Sequence, residues 1–237
     1  MRTIRYWAAA AAAALMLLGT VQAAHATTAD DTAGHQRPAA SAPAPARAEA
    51  ITLPLREAID NLGVAPEDRS GYDREREYGA GWIDADRDGC NTRNEVLLDE
   101  AVAPPAVSGR CRLTGGQWYS WYDDQTVTAT DIDHVVPLAE SWDSGAKQWT
   151  RDKRIAYANY LDDPRHLEAV SQRSNRQKAD KDVAEWLPIE SVRCKYTVYW
   201  VAIKNTWALT VDPAEQYALN TLADSCPNSP VTYEPVA

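Results

Sequence analysis

The sequence predicts an α+β domain whose core is two short antiparallel strands and a helix, set within a mostly helical surround. Three stretches predict that core. The segment TVTATDIDHVVPL is rich in β-branched residues and alternates until Pro137 ends it, and RHLEAVS has the length of a second strand. The segment SNRQKADKDVAEWLP predicts a helix that begins near Ser174 and is stopped by Pro188. The strand, strand, helix pattern therefore spans about residues 127–187.

The chain begins with the features of an export signal. Two arginines in MRTIRY precede the apolar run WAAAAAAALMLLG, and AHA offers small residues for cleavage near Ala26. Residues 27–50 are rich in Ala and Pro, which is typical of an extended linker, and residues 51–237 have the size of one domain. No cysteine directly follows the cleavage site, and no later apolar run is long enough to span a bilayer. We therefore expect a secreted protein without a membrane anchor.

Five further segments predict helices around the core. They are LREAIDNLGV, CNTRNEVLLDEA, SGAKQWTRDKRIAYANYL, CKYTVYWVAIKNTWAL and VDPAEQYALNTLADSC. The fourth places five large side chains at the spacing of a buried helix: Tyr196, Tyr199, Trp200, Ile203 and Trp207. The fifth opens with Asp212 as a cap, Pro213 at the first helical position and Glu215 three residues after the cap. The polar stretch EDRSGYDREREYGAGW, broken by glycines, predicts a loop.

The four cysteines predict two disulfide bonds. Their spacing lacks the paired C-x-x-C pattern of a zinc site, and exported proteins oxidise their thiols. Four cysteines allow three connectivities, of which we favour the sequential pairing of Cys90 with Cys111 and of Cys194 with Cys226.

The charge distribution determines where the protein could bind a nucleic acid. The formal net charge is −10, and removal of Arg2 and Arg5 with the signal makes it −12, which disfavours polyanion binding over the whole surface. Residues 145–181, however, hold nine basic and five acidic side chains beside the predicted strand. Phosphate contacts need only a local basic surface. A solvated helix face is the alternative interpretation of the same residues.

Three stretches carry a resemblance to a known family. DIDHVVPL followed by NRQKADKD resembles the HNH endonucleases, including the nuclease domain of RNA-guided CRISPR effectors. Together with GWIDADRDGCNTRNEVL, these stretches are similar to exported bacterial HNH nucleases related to the C-terminal domain of the GmrSD restriction enzymes. The resemblance covers roughly residues 71–226. It implies that the strands and helix form a ββα-metal (HNH) core within a nuclease domain at residues 51–237.

The resemblance implies a catalytic set. His134 would be the general base, and Asp133 and Asn175 would bind one divalent metal, Mg²⁺ or Mn²⁺. An imidazole titrates near neutral pH, which suits removal of a proton from water. A hard cation accepts oxygen ligands and stabilises charge on the phosphate and on the leaving oxygen. The expected substrate is DNA, with RNA left open, cut with low sequence specificity.

Two positions depart from the family pattern. His166 stands where HNH proteins carry an Asn that orients the base, and a purely structural histidine is the equal alternative. Asn175 replaces the last His of the family name, as it does in the CRISPR nucleases. Lys178 lies one helical turn after Asn175 and is a candidate to meet a phosphate near the catalytic residues. Three arginines are further candidate phosphate contacts: Arg93, Arg173 and Arg176.

A second motif is DADRDGCNTRNE. Its acids match the pattern of a calcium loop, with Gly89 at the sixth position: Asp84, Asp86, Asp88 and Glu95. Asn91 stands where such loops usually carry an aliphatic residue, and the predicted disulfide at Cys90 constrains the loop. The alternative interpretation is an acidic turn that leads into a helix.

Two functions from different classes follow. The first is a secreted, metal-dependent HNH endonuclease. The second is a non-catalytic, disulfide-stapled extracellular binding module, with or without calcium, that retains the HNH scaffold. The sequence leaves the oligomeric state open.

Overall fold

The computed structural model describes residues 49–236, which fold into helices and short strands. The predicted signal peptide, and all of the predicted linker except residues 49 and 50, lie outside the described residues. The elements, in chain order, are β1 Ile51–Pro54, α1 Leu55–Asp60, α2 Arg74–Tyr78, α3 Thr92–Asp99, β2 Ala101–Ala103, β3 Ala106–Ser108, β4 Arg112–Thr114, β5 Gln117–Ser120, β6 Gln125–Val127, β7 Thr130–His134, α4 Leu138–Asp143, α5 Arg151–Ala158, β8 Leu167–Ser171, α6 Gln172–Lys178, α7 Arg193–Trp207, α8 Pro213–Ser225 and β9 Pro230–Tyr233. Short 3₁₀ helices lie at Ala146–Gln148 and Glu190–Val192.

The fold is a mixed α/β arrangement with small antiparallel sheets. β7 pairs with β8, from Thr130 opposite Ser171 to His134 opposite Leu167, and α6 follows β8 directly. The other sheets are β2-β5-β6, β3-β4 and β1-β9. The predicted strand, strand, helix unit is therefore present. The rest of the domain contains more β-strands than the sequence predicts. The region between α3 and β6 forms hairpins, and β1 at the start of the domain pairs with β9 at its end.

Helix α7 forms the centre of the main hydrophobic core. Four of its five predicted core side chains are buried, Tyr199 is partly buried against them, and α1 and α8 both pack on the helix. Its C-terminal half is buried on all sides from Trp200 to Trp207. A helix that is enclosed in this way fixes the elements around it, because interiors pack at crystal-like density.

Two predicted helices are shorter than expected. Helix α6 ends at Lys178 rather than near Pro188, because Ala179 adopts a positive φ of 49° that breaks the helical path. Helix α5 begins at Arg151, where the side chain of Thr150 accepts a hydrogen bond from the backbone of Lys153.

Helix α2 lies in the stretch that the sequence predicts as a loop. The side chain of Asp73 caps it by accepting a hydrogen bond from the backbone N–H of Arg76, and Tyr78 at its end is buried in the main core. The helix packs against α4 and α5. A helix of five residues is held by these tertiary contacts, which is why its own sequence predicts it poorly.

The disulfides join Cys90 to Cys111 and Cys194 to Cys226, which confirms the predicted pairing. The first ties the loop before α3 to the β3–β4 hairpin, and the second ties the start of α7 to the end of α8. None of the helices within residues 49–236 has the length and apolar character needed to cross a bilayer.

Candidate functional site

Strand β7 and helix α6 face each other through a ladder of polar side chains. Alternation along β7 directs Asp131 and Asp133 to one face, toward residues one turn apart on α6. The amide nitrogen of Asn175 lies 3.5 Å from Oδ2 of Asp131, and Nζ of Lys178 lies 2.8 Å from Oδ1 of Asp133. His134 extends from the opposite face of the strand.

Asp133 is buried and fully hydrogen-bonded. It is 4% exposed, and its Oδ2 accepts a hydrogen bond of 2.7 Å from the hydroxyl of Tyr122 while Lys178 donates to Oδ1. Burial raises the pKa of Asp133, and the ammonium of Lys178 opposes that rise. The carboxylate therefore depends on Lys178 for its charge balance.

Lys178 is placed differently from the phosphate contact that its helical spacing suggests. It is 0% exposed, and its ammonium also donates to the main-chain oxygen of His134 at 2.9 Å. Burial lowers the pKa of Lys178, and the carboxylate of Asp133 opposes that fall. A side chain enclosed in this way holds the end of β7 against α6 and has no path to a substrate phosphate.

His134 is held as a neutral base. Its Nε2 lies 2.9 Å from the main-chain oxygen of Ala158, and because a carbonyl only accepts, Nε2 must carry the proton. Nδ1 is then the ring atom that can accept one. The ring stacks on Trp82 with centroids 5.2 Å apart. Burial, reinforced by the nearby His166, lowers the pKa of His134 to about 3, so the ring is neutral at physiological pH.

His166 lies behind the site and does not bond to His134. Its Nε2 lies 2.7 Å from the main-chain oxygen of Tyr157, and the two imidazole centroids are 6.2 Å apart. Within residues 49–236, its Nδ1 is buried without a hydrogen-bond partner. The orienting contact that the resemblance assigns to His166 is made instead by the carbonyl of Ala158 at the end of α5. The structural interpretation of His166 is the one that this geometry supports.

The buried His166 should make the protein sensitive to acid. Burial lowers its pKa to about 4, against about 6.5 in the unfolded chain. The unfolded state therefore binds more protons below pH 6.5, and stability that is present above that value is lost as the pH falls toward 4. For this ring the loss amounts to about 3 kcal/mol at pH 4.

Urea denaturation of the parent and of His166→Asn at pH 7, 5.5 and 4 checks this expectation. The asparagine does not titrate, so the gap in unfolding free energy between the two proteins should narrow as the pH falls. A gap that stays constant over this range would contradict the assignment.

Asp133, His134 and Asn175 line one cleft of about 250 Å³. Arg74 and Arg176 line the same cleft and bring positive charge to it. A second cleft of about 180 Å³ lies against His134 and is lined in part by Arg74, Trp82 and Ala158. The three residues that the resemblance groups as catalytic are thus brought to a shared solvent-accessible space.

Most of the basic surplus in residues 145–181 serves the fold. Arg154 is buried and bonds to Glu77 and to the carbonyl of Trp149, Lys147 pairs with Asp68, and Arg165 pairs with Asp163.

Of the predicted phosphate contacts, Arg176 lines the shared cleft and its side chain is 70% exposed. Arg173 is exposed on the same helix, α6, but is not among the residues that line this cleft, and half-buried Arg93 on α3 is not among them either. Arg74 was missed, because it lies on α2, a helix the sequence predicts as a loop.

The predicted calcium loop has its three aspartates close together. One carboxylate oxygen from each of Asp84, Asp86 and Asp88 lies within 4.8 Å of the others. Burial and these three aspartates raise the pKa of Glu95, whose Oε2 is buried without a hydrogen-bond partner in the described chain. The loop leads directly into α3, so both interpretations of the motif remain compatible with the geometry, and calcium binding there stays a prediction.

The residues at the cleft fit a hard divalent cation. Asp131 accepts only, so the amide of Asn175 must turn its nitrogen toward that carboxylate, which leaves its oxygen as the donor for a metal. A carboxylate from Asp133 and an amide oxygen are ligands that Mg²⁺ accepts while it keeps several waters. A metal at this site would have to share the carboxylate of Asp133 with the ammonium of Lys178, which already donates a hydrogen bond to it.

Comparisons with known proteins identify a family and an uncharacterized relative. Residues 110–222 match the family model for the C-terminal domain of GmrSD restriction endonucleases. An uncharacterized secreted protein of Arthroderma benhamiae is 38% identical over 173 residues, which are 71% of this chain and 82% of that protein. That relative is fungal, so the bacterial part of the expected resemblance stays a prediction. No solved structure is significantly similar to the chain.

Proposed function

Because the chain belongs to the family of the C-terminal domain of GmrSD restriction endonucleases, we propose that it is a secreted, metal-dependent endonuclease that hydrolyses phosphodiester bonds, most readily in DNA. The observation that carries the proposal is the shared cleft, to which Asp133, His134 and Asn175 all contribute. Export would remove residues 1–26, with cleavage near Ala26.

His134 would take the proton from the attacking water. Its tautomer supports this role, because the bond from Nε2 to the carbonyl of Ala158 leaves Nδ1 unprotonated. Stacking on Trp82 limits rotation of the ring, and the lowered pKa keeps it neutral across the physiological range. A fixed and unprotonated imidazole can accept a proton from water, although a pKa of about 3 makes it a weaker base than an imidazole that titrates near neutral pH.

Asp133 and Asn175 would hold the divalent metal, with Mg²⁺ or Mn²⁺ as the expected ion. When bound, such an ion stabilises negative charge on the phosphate oxygens and on the departing oxygen. Asp131 keeps the amide oxygen of Asn175 available, and Lys178 together with Tyr122 fixes the carboxylate of Asp133. The strand and helix thereby position both donors before any ion arrives.

The experiment that tests the proposal is cleavage of supercoiled plasmid by the purified chain. We expect nicked and linear products with Mg²⁺ or Mn²⁺ and none in EDTA. Parallel reactions with single-stranded DNA and with RNA define the substrate range. If the chain binds DNA but leaves it intact with every divalent ion, the nuclease assignment is wrong.

One observation favours the second function, a non-catalytic binding module. Asp133 is buried, and both of its oxygens already accept hydrogen bonds. The carboxylate therefore needs no metal to satisfy its hydrogen-bonding capacity or to balance its charge. Retarded but uncut DNA in the same gel would support this function.

Arg74 and Arg176 should bind the phosphates that flank the cut site. The double variant Arg74→Ala/Arg176→Ala should raise KM by about tenfold or more, since each lost bond to a charged group weakens binding appreciably, and it should flatten the salt dependence of binding. Steady-state kinetics on a fluorescent duplex at several salt concentrations measures both effects. Arg173→Ala is the matched control, because Arg173 is exposed on the same helix as Arg176 but does not line the cleft. Equal effects from the control and the double variant would show that the cleft does not bind the substrate.

A further inference from the structure

A second group of acidic side chains lies outside both clefts that His134 lines. We call it the Glu67 cluster, and its five members come from four segments of the chain: Glu67, Glu140, Asp143, Asp182 and Asp212. In two triads that share Glu67, one carboxylate oxygen from each residue lies within 4.8 Å of the others. Glu140 and Asp143 form one triad with Glu67, and Asp182 and Asp212 form the other.

The Glu67 cluster carries more negative charge than its basic partners balance. Arg69 pairs with Asp143 at 2.6 Å, and Lys204 is shared between Glu140 and the neighbouring Glu215. Six carboxylates with Glu215 included thus face these two basic side chains, a formal excess of four negative charges. Glu140, Asp143 and Asp182 are buried, whereas Glu67 is exposed and Asp212 is half-buried. The buried charges repel one another more strongly than charges in water, so this arrangement is costly unless something neutralises it.

Asp143 supplies an independent sign that a ligand is missing. Its side chain is 1% exposed, and Oδ2 is engaged by the guanidinium of Arg69. Its Oδ1 is buried and has no hydrogen-bond partner among residues 49–236. A buried carboxylate oxygen without a partner loses its hydration and gains nothing in return. The same carboxylate belongs to the triad with Glu67 and Glu140, where a cation would meet it.

We propose that the Glu67 cluster binds a divalent cation through carboxylate oxygens, and that Ca²⁺ is the ion it fits best. Ca²⁺ takes six to eight oxygen ligands in flexible geometry, whereas Mg²⁺ demands a near-ideal octahedron and gives up its waters reluctantly. The triad of Glu67, Glu140 and Asp143 supplies three carboxylates that can bind through one oxygen or two, with waters completing the shell, which matches the first description. An ion in this triad would tie the segment before α2 to helix α4. Helix α4 follows β7 closely, so the ion would brace the scaffold behind the catalytic strand without entering the reaction.

A shared proton is the competing way to neutralise the cluster. Burial and the adjacent Glu140 raise the pKa of Glu67 to about 7, so a proton there relieves part of the repulsion without any metal. The two explanations differ in whether stability depends on divalent ions at neutral pH.

Thermal unfolding of the purified full chain at pH 7.5 separates them. After treatment with EDTA and dialysis, millimolar Ca²⁺ should raise the melting temperature of the parent by about 5 °C, as expected for an ion present well above its Kd. Glu67→Gln should melt higher than the parent in EDTA, because one repelling charge is gone. With Ca²⁺ the same variant should gain less than about 1 °C.

Asp86→Ala is the matched control, because it removes an acid from the exposed loop of Asp84 and Asp88 instead. It should keep the full rise with Ca²⁺. A rise that is lost in Asp86→Ala and kept in Glu67→Gln would assign the ion to that loop and overturn the proposal. A parent that shows no rise with Ca²⁺, Mg²⁺ or Mn²⁺ would also overturn it, and would leave the proton as the neutralising group. Plasmid cleavage by Glu67→Gln in Mg²⁺ is expected at the parent rate, so the outcome is separate from that of the nuclease assay.

Discussion

His134→Gln should reduce the rate of plasmid cleavage by about a hundredfold to ten-thousandfold, the usual contribution of a general base. Glutamine can still donate a hydrogen bond to the carbonyl of Ala158, where Nε2 of the imidazole donates now, but it has no basic nitrogen. The fall should appear in kcat, because the ring holds no substrate phosphate in this account. Initial rates of nicking with saturating Mg²⁺ measure it.

The choice of glutamine matters because His134 is also part of the packing. The ring is 7% exposed and stacks on Trp82, so alanine would open a cavity and confuse lost catalysis with lost stability. His166→Asn is a useful companion variant, since this account gives His166 no catalytic contact and predicts a kcat near that of the parent at pH 7. A His134→Gln enzyme that cuts as fast as the parent would remove His134 from the mechanism.

Lys178→Met should destabilise the protein by about 3–5 kcal/mol, the usual cost when one partner of a buried ion pair is removed. The methionine fills a similar volume but leaves the carboxylate of Asp133 without its cation, 4% exposed and unable to recover its hydration. For a domain of this size the melting temperature should fall by about 10 °C. Denaturant unfolding and calorimetry at pH 7 check both values.

The double variant Asp133→Asn/Lys178→Met separates charge from packing. With both charges removed, most of the lost stability should return, although the protein should be inactive because a proposed metal ligand is gone. A single Lys178→Met variant that is as stable as the parent would contradict the buried ion pair. So would a double variant that is less stable than the single one, since the loss would then come from packing alone.

The sequence grouped three residues that the structure brings to one cleft, because the signals there are local. Asp133 and His134 lie at the end of a β-branched strand, and Asn175 lies on a helix one strand further along, so their arrangement follows from adjacent elements. The disulfides were equally accessible, since export and cysteine spacing restrict the choices. The capped start of α8 at Asp212 is local in the same sense, because its signal is held within four residues.

The parts that the sequence missed depend on contacts between distant segments. Arg74 reaches the cleft on α2, a helix of five residues that is held by packing against α4 and α5. The carbonyl of Ala158 orients His134. Every residue type has a main-chain carbonyl, so the sequence does not reveal this contact. Pairing of β1 with β9 joins residues about 180 positions apart, which no local pattern reports.

Lys178 is the most instructive difference between the expected and the observed surroundings of a residue. Its spacing from Asn175 correctly places it on the same face of α6, but that face meets β7, where Asp133 lies two residues beyond Asp131. Spacing alone therefore placed the lysine on the face of α6 that carries Asn175 without showing that its ammonium is buried against a carboxylate. Counting basic residues has the same limit, because it does not show that Arg154 and Arg165 bond to carbonyls and carboxylates of the fold.

The central claim is that residues 133, 134 and 175 act on one phosphate in one cleft. Anomalous diffraction from crystals of His134→Gln grown with Mn²⁺ and a short DNA duplex tests it most directly, because the variant should leave the DNA uncut. We predict a Mn²⁺ peak between the side chains of Asp133 and Asn175, with a backbone phosphate beside it and within reach of residue 134. A metal peak remote from Asp133, or a duplex that lies away from this cleft, would contradict the account.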